Sequence, residues 1–255
     1  MTDLLLFAES LFFWHLVNYA LSTDPIRDNQ SHPENAEDAA QSWRPWLVGV
    51  GSRSLVAAIL VIAVDGFRRT GFLLAGILFA GSVLLPIARR LIPVASLAEF
   101  ELFANGVAAL SLGWTCTHLH AGSGPLRFTR FDATQASAIF ICAALFMYAI
   151  RGGSYLVRGL LEKAGGIPSP AVLTNEGYTH GRMIGQVERA IVVLIVMGGN
   201  LAALAFFFAA KGLIRSRELE ERARVDYLLL GSLISFLIAL VAGLVLQKTV
   251  AILWK

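Results

Sequence analysis

The composition of this chain excludes an ordinary soluble domain. Of its 255 residues, 56% are hydrophobic and 15% are charged, whereas soluble domains carry nearer a quarter charged residues. The formal net charge of +3 is explained by basic residues at membrane edges, so no nucleic-acid partner is expected. We therefore predict an all-α, polytopic integral membrane protein, a single helical bundle over residues 1–255 with the lipid bilayer around it.

Apolar segments long enough to span a membrane follow one another along the chain. About seven are predicted, with six to eight compatible with the sequence, at residues 4–21, 47–64, 72–88, 94–114, 134–150, 190–210 and 227–246. Glu9, His15 and Asn18 interrupt the first, and we expect them to face other helices of the bundle. This segment lacks a basic region before it, so it is expected to remain as a helix and not to be cleaved as a signal peptide.

Two connecting segments are long. Residues 22–46 are predicted to form a polar loop that is longer than a helix connection normally needs, and a short surface helix around Pro33 to Ser42 is left open. Residues 151–189 are predicted to form an interfacial segment, in which Ser154 to Lys163 would lie at the membrane surface as an amphipathic helix.

The only closely spaced histidines are His118 and His120. Two residues apart, they diverge on a helix and converge only in an extended segment. We interpret them as membrane-edge histidines and predict no metal and no cofactor, with a metal, haem or quinone site as the weaker alternative. Cys116 and Cys142 both lie in apolar helical sequence and are interpreted as small hydrophobic residues.

A set of polar residues marks the sixth segment, from Ala190 to Ala210. On an unbroken helix, the spacing of four of them places each within about 20° of the one before, and the fifth, Gln186, about 40° away. We call this set the polar stripe: Arg182, Gln186, Arg189, Asn200 and Lys211. The stripe either consists of interfacial anchors and a tie between helices, or it lines a path for a solute or ion. The Gly198-Gly199 pair allows close packing and also a local helix break.

The last apolar segment repeats a small residue every fourth position. We call this set the small-residue groove: Gly231, Ser235, Ala239 and Gly243. Small residues at this spacing let another helix approach closely. The groove therefore predicts a helix interface, either inside the protomer or between protomers.

The last third of the chain also carries a family resemblance. Its matching elements are Gly181-Arg182-x-Ile184-Gly185-x-x-Glu188-Arg189, Ala209-Ala210-Lys211 with Arg215, Asp226-Tyr227-Leu228, and Gly231-Ser232-Leu233-x-Ser235. These elements, over residues 181–250, resemble the C-terminal half of a family of small bacterial membrane proteins that is catalogued only as a domain of unknown function.

The opening of the chain is similar to the same family. His15-Leu16-Val17-Asn18-Tyr19 and Leu21-Ser22-Thr23-Asp24 are similar to the family's His-x-x-x-Asp-aromatic and Leu-Gln-Thr-Asp elements, and Asn105 stands where the family has an Asp-Gln pair. At most of these positions the Asp and Gln residues of the family are thus replaced by other residues in this chain. The resemblance implies a multi-pass protein of the bacterial cytoplasmic (inner) membrane and implies no mechanism.

Two functions remain open from the sequence. The first is a small homo-oligomeric channel or permease, with the polar stripe lining the path and the cationic flanks favouring anions. The alternative is a non-catalytic accessory or structural subunit that binds a partner membrane protein. No nucleotide-binding, zinc-protease or hydrolase motif occurs, so enzymatic activity is left open but is not favoured. The expected partner is a further copy of this chain or another membrane protein.

Overall fold

A computed structural model describes residues 2–21, 36–65, 69–93, 96–118, 133–164, 175–215 and 222–253. Within these ranges the chain is helical and contains no strand, which confirms the predicted all-α class. The helices are α1 (Thr2–His15), α2 (Ala36–Asp65), α3 (Arg69–Leu91), α4 (Leu97–His118), α5 (Ala133–Met147), α6 (Gly153–Lys163), α7 (Asn175–Met197), α8 (Leu201–Arg215) and α9 (Arg222–Leu253). One π-helical turn, Leu16–Ala20, follows α1, and another, Tyr148–Gly152, joins α5 to α6.

Several of these helices have the character of membrane segments. In the described ranges, three stretches are long and apolar enough to cross a bilayer, namely Arg69–Arg89, Ala133–Lys163 and Leu229–Leu253. Shorter apolar helices cover Leu4–Ala20, Leu47–Ile62 and Leu201–Leu213. Large apolar side chains such as Leu84, Phe206 and Leu233 are exposed on their surfaces. A lipid environment accommodates such faces, and together these features indicate membrane association.

The chain divides into two compact units. The first comprises Met1–Ile92 and Leu102–Ala144. In it α2 packs along α3, and α1 contacts both. Gly81 of α3 lies so close to Trp14 of α1 that an added Cβ would come within 2.4 Å of the indole ring. A residue without a side chain is therefore needed where these two helices meet.

The second unit comprises Pro93–Glu101 and Leu145–Leu253. Here α9 packs along α7 and also contacts α6. Lys163 at the end of α6 forms an ion pair with Glu99 in the first turn of α4, and Gly159 lies against the backbone of Ala98. These contacts hold the start of α4 against α6.

The polar loop predicted at residues 22–46 needs correction. Its second part is helical, because α2 already begins at Ala36. The sequence from Ala36 to Ser42 is rich in residues that favour helices, so the helix extends before the apolar segment. Residues 22–35 lie outside the described part of the chain.

The segment predicted as interfacial, residues 151–189, is helical over most of its described part. Helix continues from Ala133 through the π-helical turn to Lys163, and Gly152 and Gly153 lie within this helical structure. The later part of the segment belongs to α7, which runs without interruption from Asn175 to Met197.

Candidate functional site

The sixth predicted span is not one helix. α7 ends at Met197, and Gly199 takes a φ of +70°, a conformation that glycine adopts without steric cost. Asn200 then accepts a hydrogen bond from the Ala203 N–H through Oδ1, at 3.1 Å, and so caps the first turn of α8. The unbroken helix predicted over 190–210 is therefore wrong, because the glycine pair ends one helix and Asn200 begins the next.

After the break, the chain returns along α7. Lys211 near the end of α8 forms an ion pair with Glu188 of α7. Since these two residues flank the break almost symmetrically, α7 and α8 form an antiparallel pair, which we call the α7–α8 hairpin, with Gly198–Asn200 at its tip. The ion pair is largely buried, with side-chain exposure of 16% for Lys211 and 22% for Glu188.

Arg189 of α7 is the most buried charge of the site, at 3% exposure. Its Nε and Nη2 both donate to the Ile150 carbonyl, at 3.2 and 2.6 Å. Nη2 also donates to Ser154 Oγ at 2.5 Å, and Nη1 donates to Ser235 Oγ at 2.9 Å. Gly153 makes this approach possible, since an added Cβ would lie 3.2 Å from Arg189 Nε. Arg189 thus joins α7 to the π-helical turn, α6 and α9.

Two partners of Arg189 lie in candidate membrane-spanning stretches. Ile150 lies in Ala133–Lys163, roughly 20 Å from the nearer end at about 1.5 Å per residue. Ser235 lies in Leu229–Leu253, about 9 Å from its first residue. A guanidinium as buried as that of Arg189 is costly unless its donors are satisfied, and its hydrogen bonds to these oxygen atoms meet that need.

Beside Arg189 is a small cavity between α7, α8 and α9, which we call the charged pocket. Its polar lining residues include Glu188, Arg189, Lys211 and Ser235, and its apolar lining residues include Phe208 and Phe236. The two aromatic rings meet edge to face, with centroids 4.2 Å apart. The pocket has room for about one water molecule. Its three ionisable side chains carry a formal net charge of +1 when all are ionised.

The structure separates the residues of the polar stripe. Arg189 and Lys211 line the same pocket, whereas Asn200 is exposed at the hairpin tip. Arg182 and Gln186 lie earlier on α7 and are half-buried. The prediction of one continuous polar face is wrong because it assumed an unbroken helix. The hairpin brings Lys211 to Arg189 by folding back, which a helical wheel does not represent.

The small-residue groove faces other helices of the same chain. Gly231 lies against α6, where an added Cβ would be 3.3 Å from Leu161 Cδ1. Gly243 lies against α7, where an added Cβ would be 2.7 Å from Val196 Cβ. Ser235 accepts the hydrogen bond from Arg189. In this structure the groove is an interface within the protomer, so self-association would require a different surface.

The histidine pair takes no part in this site. His118 is the last residue of α4 and is exposed, with its ring 5.1 Å from that of Trp114. His120 lies outside the described residues. Among the residues that the structure places, no group of three or more His, Cys, Asp or Glu side chains is arranged to hold a metal ion.

Sequence reasoning missed a second buried polar cluster, which lies in the first unit. Asn18, 1% exposed, donates through Nδ2 to the Trp14 carbonyl at 3.0 Å and to Ser82 Oγ at 3.1 Å. Trp14 Nε1 donates to Asn105 Oδ1 at 3.0 Å, and Asn105 Nδ2 donates to the Tyr19 hydroxyl at 2.5 Å. The signal was visible as polar residues within apolar segments, but the sequence could not show that they meet.

The same cluster includes a cation and a histidine. Arg89 Nη1 donates to the Asn18 carbonyl at 3.2 Å, and its guanidinium lies 4.8 Å from the centroid of the Tyr19 ring. The His15 ring stacks on Tyr19 and its Nδ1 lies 2.8 Å from the Leu11 carbonyl oxygen. The segment His15 to Tyr19 thus meets the side chains of Arg89 and Asn105 in one network.

Comparison with protein-family models, with curated proteins and with solved structures finds no match to this chain. The resemblance of residues 181–250 to a family of small bacterial membrane proteins therefore stays a prediction, and function is argued from the site alone.

Proposed function

We propose that this chain is a multi-pass protein of the bacterial cytoplasmic membrane that acts as a small homo-oligomeric channel or permease. The resemblance to bacterial membrane proteins and the candidate membrane helices support the location. The sequence counted residues 190–210 as one crossing, but in the α7–α8 hairpin the chain runs along α7 and returns antiparallel along α8. We therefore propose an even number of crossings, six or eight, in place of seven.

The charged pocket is the observation that carries the transport function. Arg189, Lys211 and Glu188 line one pocket, and Arg189 donates to Ile150 and Ser235, which lie in two candidate membrane-spanning stretches. Ionisable groups inside a membrane are rare, and they commonly mark solute or ion pathways. The broken helix beside them is a feature of many transporters, in which discontinuous helices form the binding site.

The alternative function is a non-catalytic accessory or structural subunit that binds another membrane protein. A specific observation favours it: four hydrogen bonds already connect Arg189 to three neighbouring elements. A residue that connects helices in this way stabilises their packing, and this role does not require the protein to transport anything. In that case the charged pocket would hold the helices together, and the exposed apolar faces would contact lipid or a partner protein.

Flux into liposomes that contain the purified protein tests transport. We expect ion flux from the wild type and, in Lys211→Gln, a loss of about tenfold or more, because the substitution removes a charge from the charged pocket. Lys248→Gln is the matched control, since Lys248 is exposed near the other end of α9 and should leave flux unchanged.

The absence of flux from folded wild-type protein, with several ions and at both membrane polarities, would contradict the channel or permease. Purification in mild detergent then tests the alternative. An accessory subunit should bring with it a stoichiometric partner that a homogeneous preparation of this chain lacks.

A further inference from the structure

We infer that the charged pocket binds one small monovalent inorganic anion of about the size of chloride. This inference rests on the proposed transport function for its biological use, but the binding itself can be measured separately. It is drawn from the charges, the unused donors and the size of the pocket.

The charges of the pocket do not cancel. Lys211 and Glu188 neutralise each other in an ion pair. The hydrogen-bond partners of the Arg189 guanidinium are neutral oxygens, namely those of Ile150, Ser154 and Ser235, and Glu188 also acts on Arg189 electrostatically. Because the pocket lining has two cations and one carboxylate, a net positive charge remains there. Because a charge taken out of water is strongly disfavoured unless it is paired, an anion beside the guanidinium would stabilise the folded state.

Hydrogen-bond donors remain for such an anion. A guanidinium has five N–H groups, and the bonds of Arg189 use one on Nε, both on Nη2 and one on Nη1. The second N–H of Nη1 is left over. Lys211 has three N–H groups, and its hydrogen bond to Glu188 Oε2 uses one. Both side chains line the pocket, so each brings at least one further donor to it.

The size of the pocket limits what can bind. The pocket has room for about one water-sized group, and among inorganic anions a monatomic halide comes nearer to that size than a phosphate does. Phe208 and Phe236 also line the pocket. The edges of aromatic rings carry partial positive charge, so an aromatic lining does not exclude an anion.

A series of charge variants tests this inference in the full chain. Chloride binding is measured in detergent by the broadening of the chloride NMR line, with gluconate keeping the ionic strength constant. Lys211→Gln lowers the net charge of the pocket from +1 to 0 and should weaken binding about tenfold or more, because a cation a few ångströms away is removed. Glu188→Gln raises the net charge to +2 and should strengthen binding by a similar factor.

The double variant Glu188→Gln/Lys211→Gln restores the net charge of +1. It should bind chloride within about threefold of the wild type, since the leading electrostatic effect depends on the summed charge. Lys248→Gln, which removes an exposed charge, should leave binding unchanged. Circular dichroism and size-exclusion chromatography select the variants that remain folded, and the double variant keeps the test decisive if one single variant does not fold.

Failure of the inference can be distinguished from failure of the proposed function. No chloride binding by the folded wild type, or equal binding by Lys211→Gln and Glu188→Gln, would overturn the anion site, while flux of another species would still support transport. Chloride binding that follows the charge series without any flux would support the site as a structural anion site and would contradict the channel or permease.

Discussion

At the scale of single residues, Arg189 decides how the site is understood. Its position in a polar stripe allowed two interpretations, a tie between helices or the lining of a path. The structure gives it hydrogen bonds to a π-helical turn, to α6 and to α9, so it does tie helices together. Its remaining N–H and the adjacent Lys211 are the features that go beyond this structural role.

Arg189→Lys tests how much the planar guanidinium contributes to stability. Lysine keeps the charge but cannot reproduce the fork of parallel donors to Ile150, Ser154 and Ser235. We expect the free energy of unfolding to fall by about 2 kcal/mol, the order of a few lost hydrogen bonds to a charged group. Thermal unfolding in detergent measures it. Lys248→Arg, the control at an exposed position, should change stability by less than about 0.5 kcal/mol; equal effects of the two substitutions would show that the fork is not required.

The buried polar residues that connect helices were only partly predictable from the sequence. The polar positions themselves, such as Asn18 and Arg189, are recognisable because polar groups are rare in apolar segments. Their partners are not, since the Ile150 carbonyl is a backbone group available at a π-helical turn, and no side-chain pattern reports it. The contact between Trp14 and Asn105 joins positions far apart in sequence, and one sequence without an alignment contains no information on such a pair.

At the scale of helices, glycine has two different roles in this chain. Gly199 ends a helix through a positive φ, whereas Gly243 lies inside α9 and permits contact with α7. The four-residue spacing of the small-residue groove predicted a helix interface, because side chains four apart lie on one face. The Gly198-Gly199 pair was compatible with both close packing and a break, and the positive φ of Gly199 together with the contact of Lys211 with Glu188 shows that it is a break.

Gly243→Ala tests the contact between α9 and α7. The new methyl group would lie 2.7 Å from Val196 Cβ, and a β-branched side chain cannot turn away easily. We expect a loss of about 1–3 kcal/mol in the free energy of unfolding, as in other overpacked interfaces. Gly212→Ala is the matched control: an added Cβ there meets nothing within 4 Å, so stability should change by less than about 1 kcal/mol. A similar loss in both variants would indicate a general effect of glycine replacement and not a packed interface.

At the scale of the whole molecule, composition was sufficient for the class but not for the number of crossings. In lipid, the backbone N–H and C=O groups must find hydrogen-bond partners within the protein, and a helix provides them. An apolar chain with few charges therefore favours the all-α membrane prediction. The span count depends on where helices break and continue. The Gly198-Gly199 pair ends α7, whereas helical structure continues through the Gly152-Gly153 pair by way of a π-helical turn, and local sequence does not distinguish these two pairs.

The hairpin makes a prediction about the two ends of the chain. Seven single crossings would place the N- and C-terminal residues on opposite sides of the membrane. An out-and-back hairpin contributes no crossing or two, so the total becomes even and both ends lie on the same side. Green fluorescent protein, which fluoresces only in the cytoplasm, and alkaline phosphatase, which is active only outside it, can each be fused to either end of the full chain in a bacterial host. We expect both ends to give the same reporter response; opposite responses would show an odd number of crossings and would contradict the proposed even number.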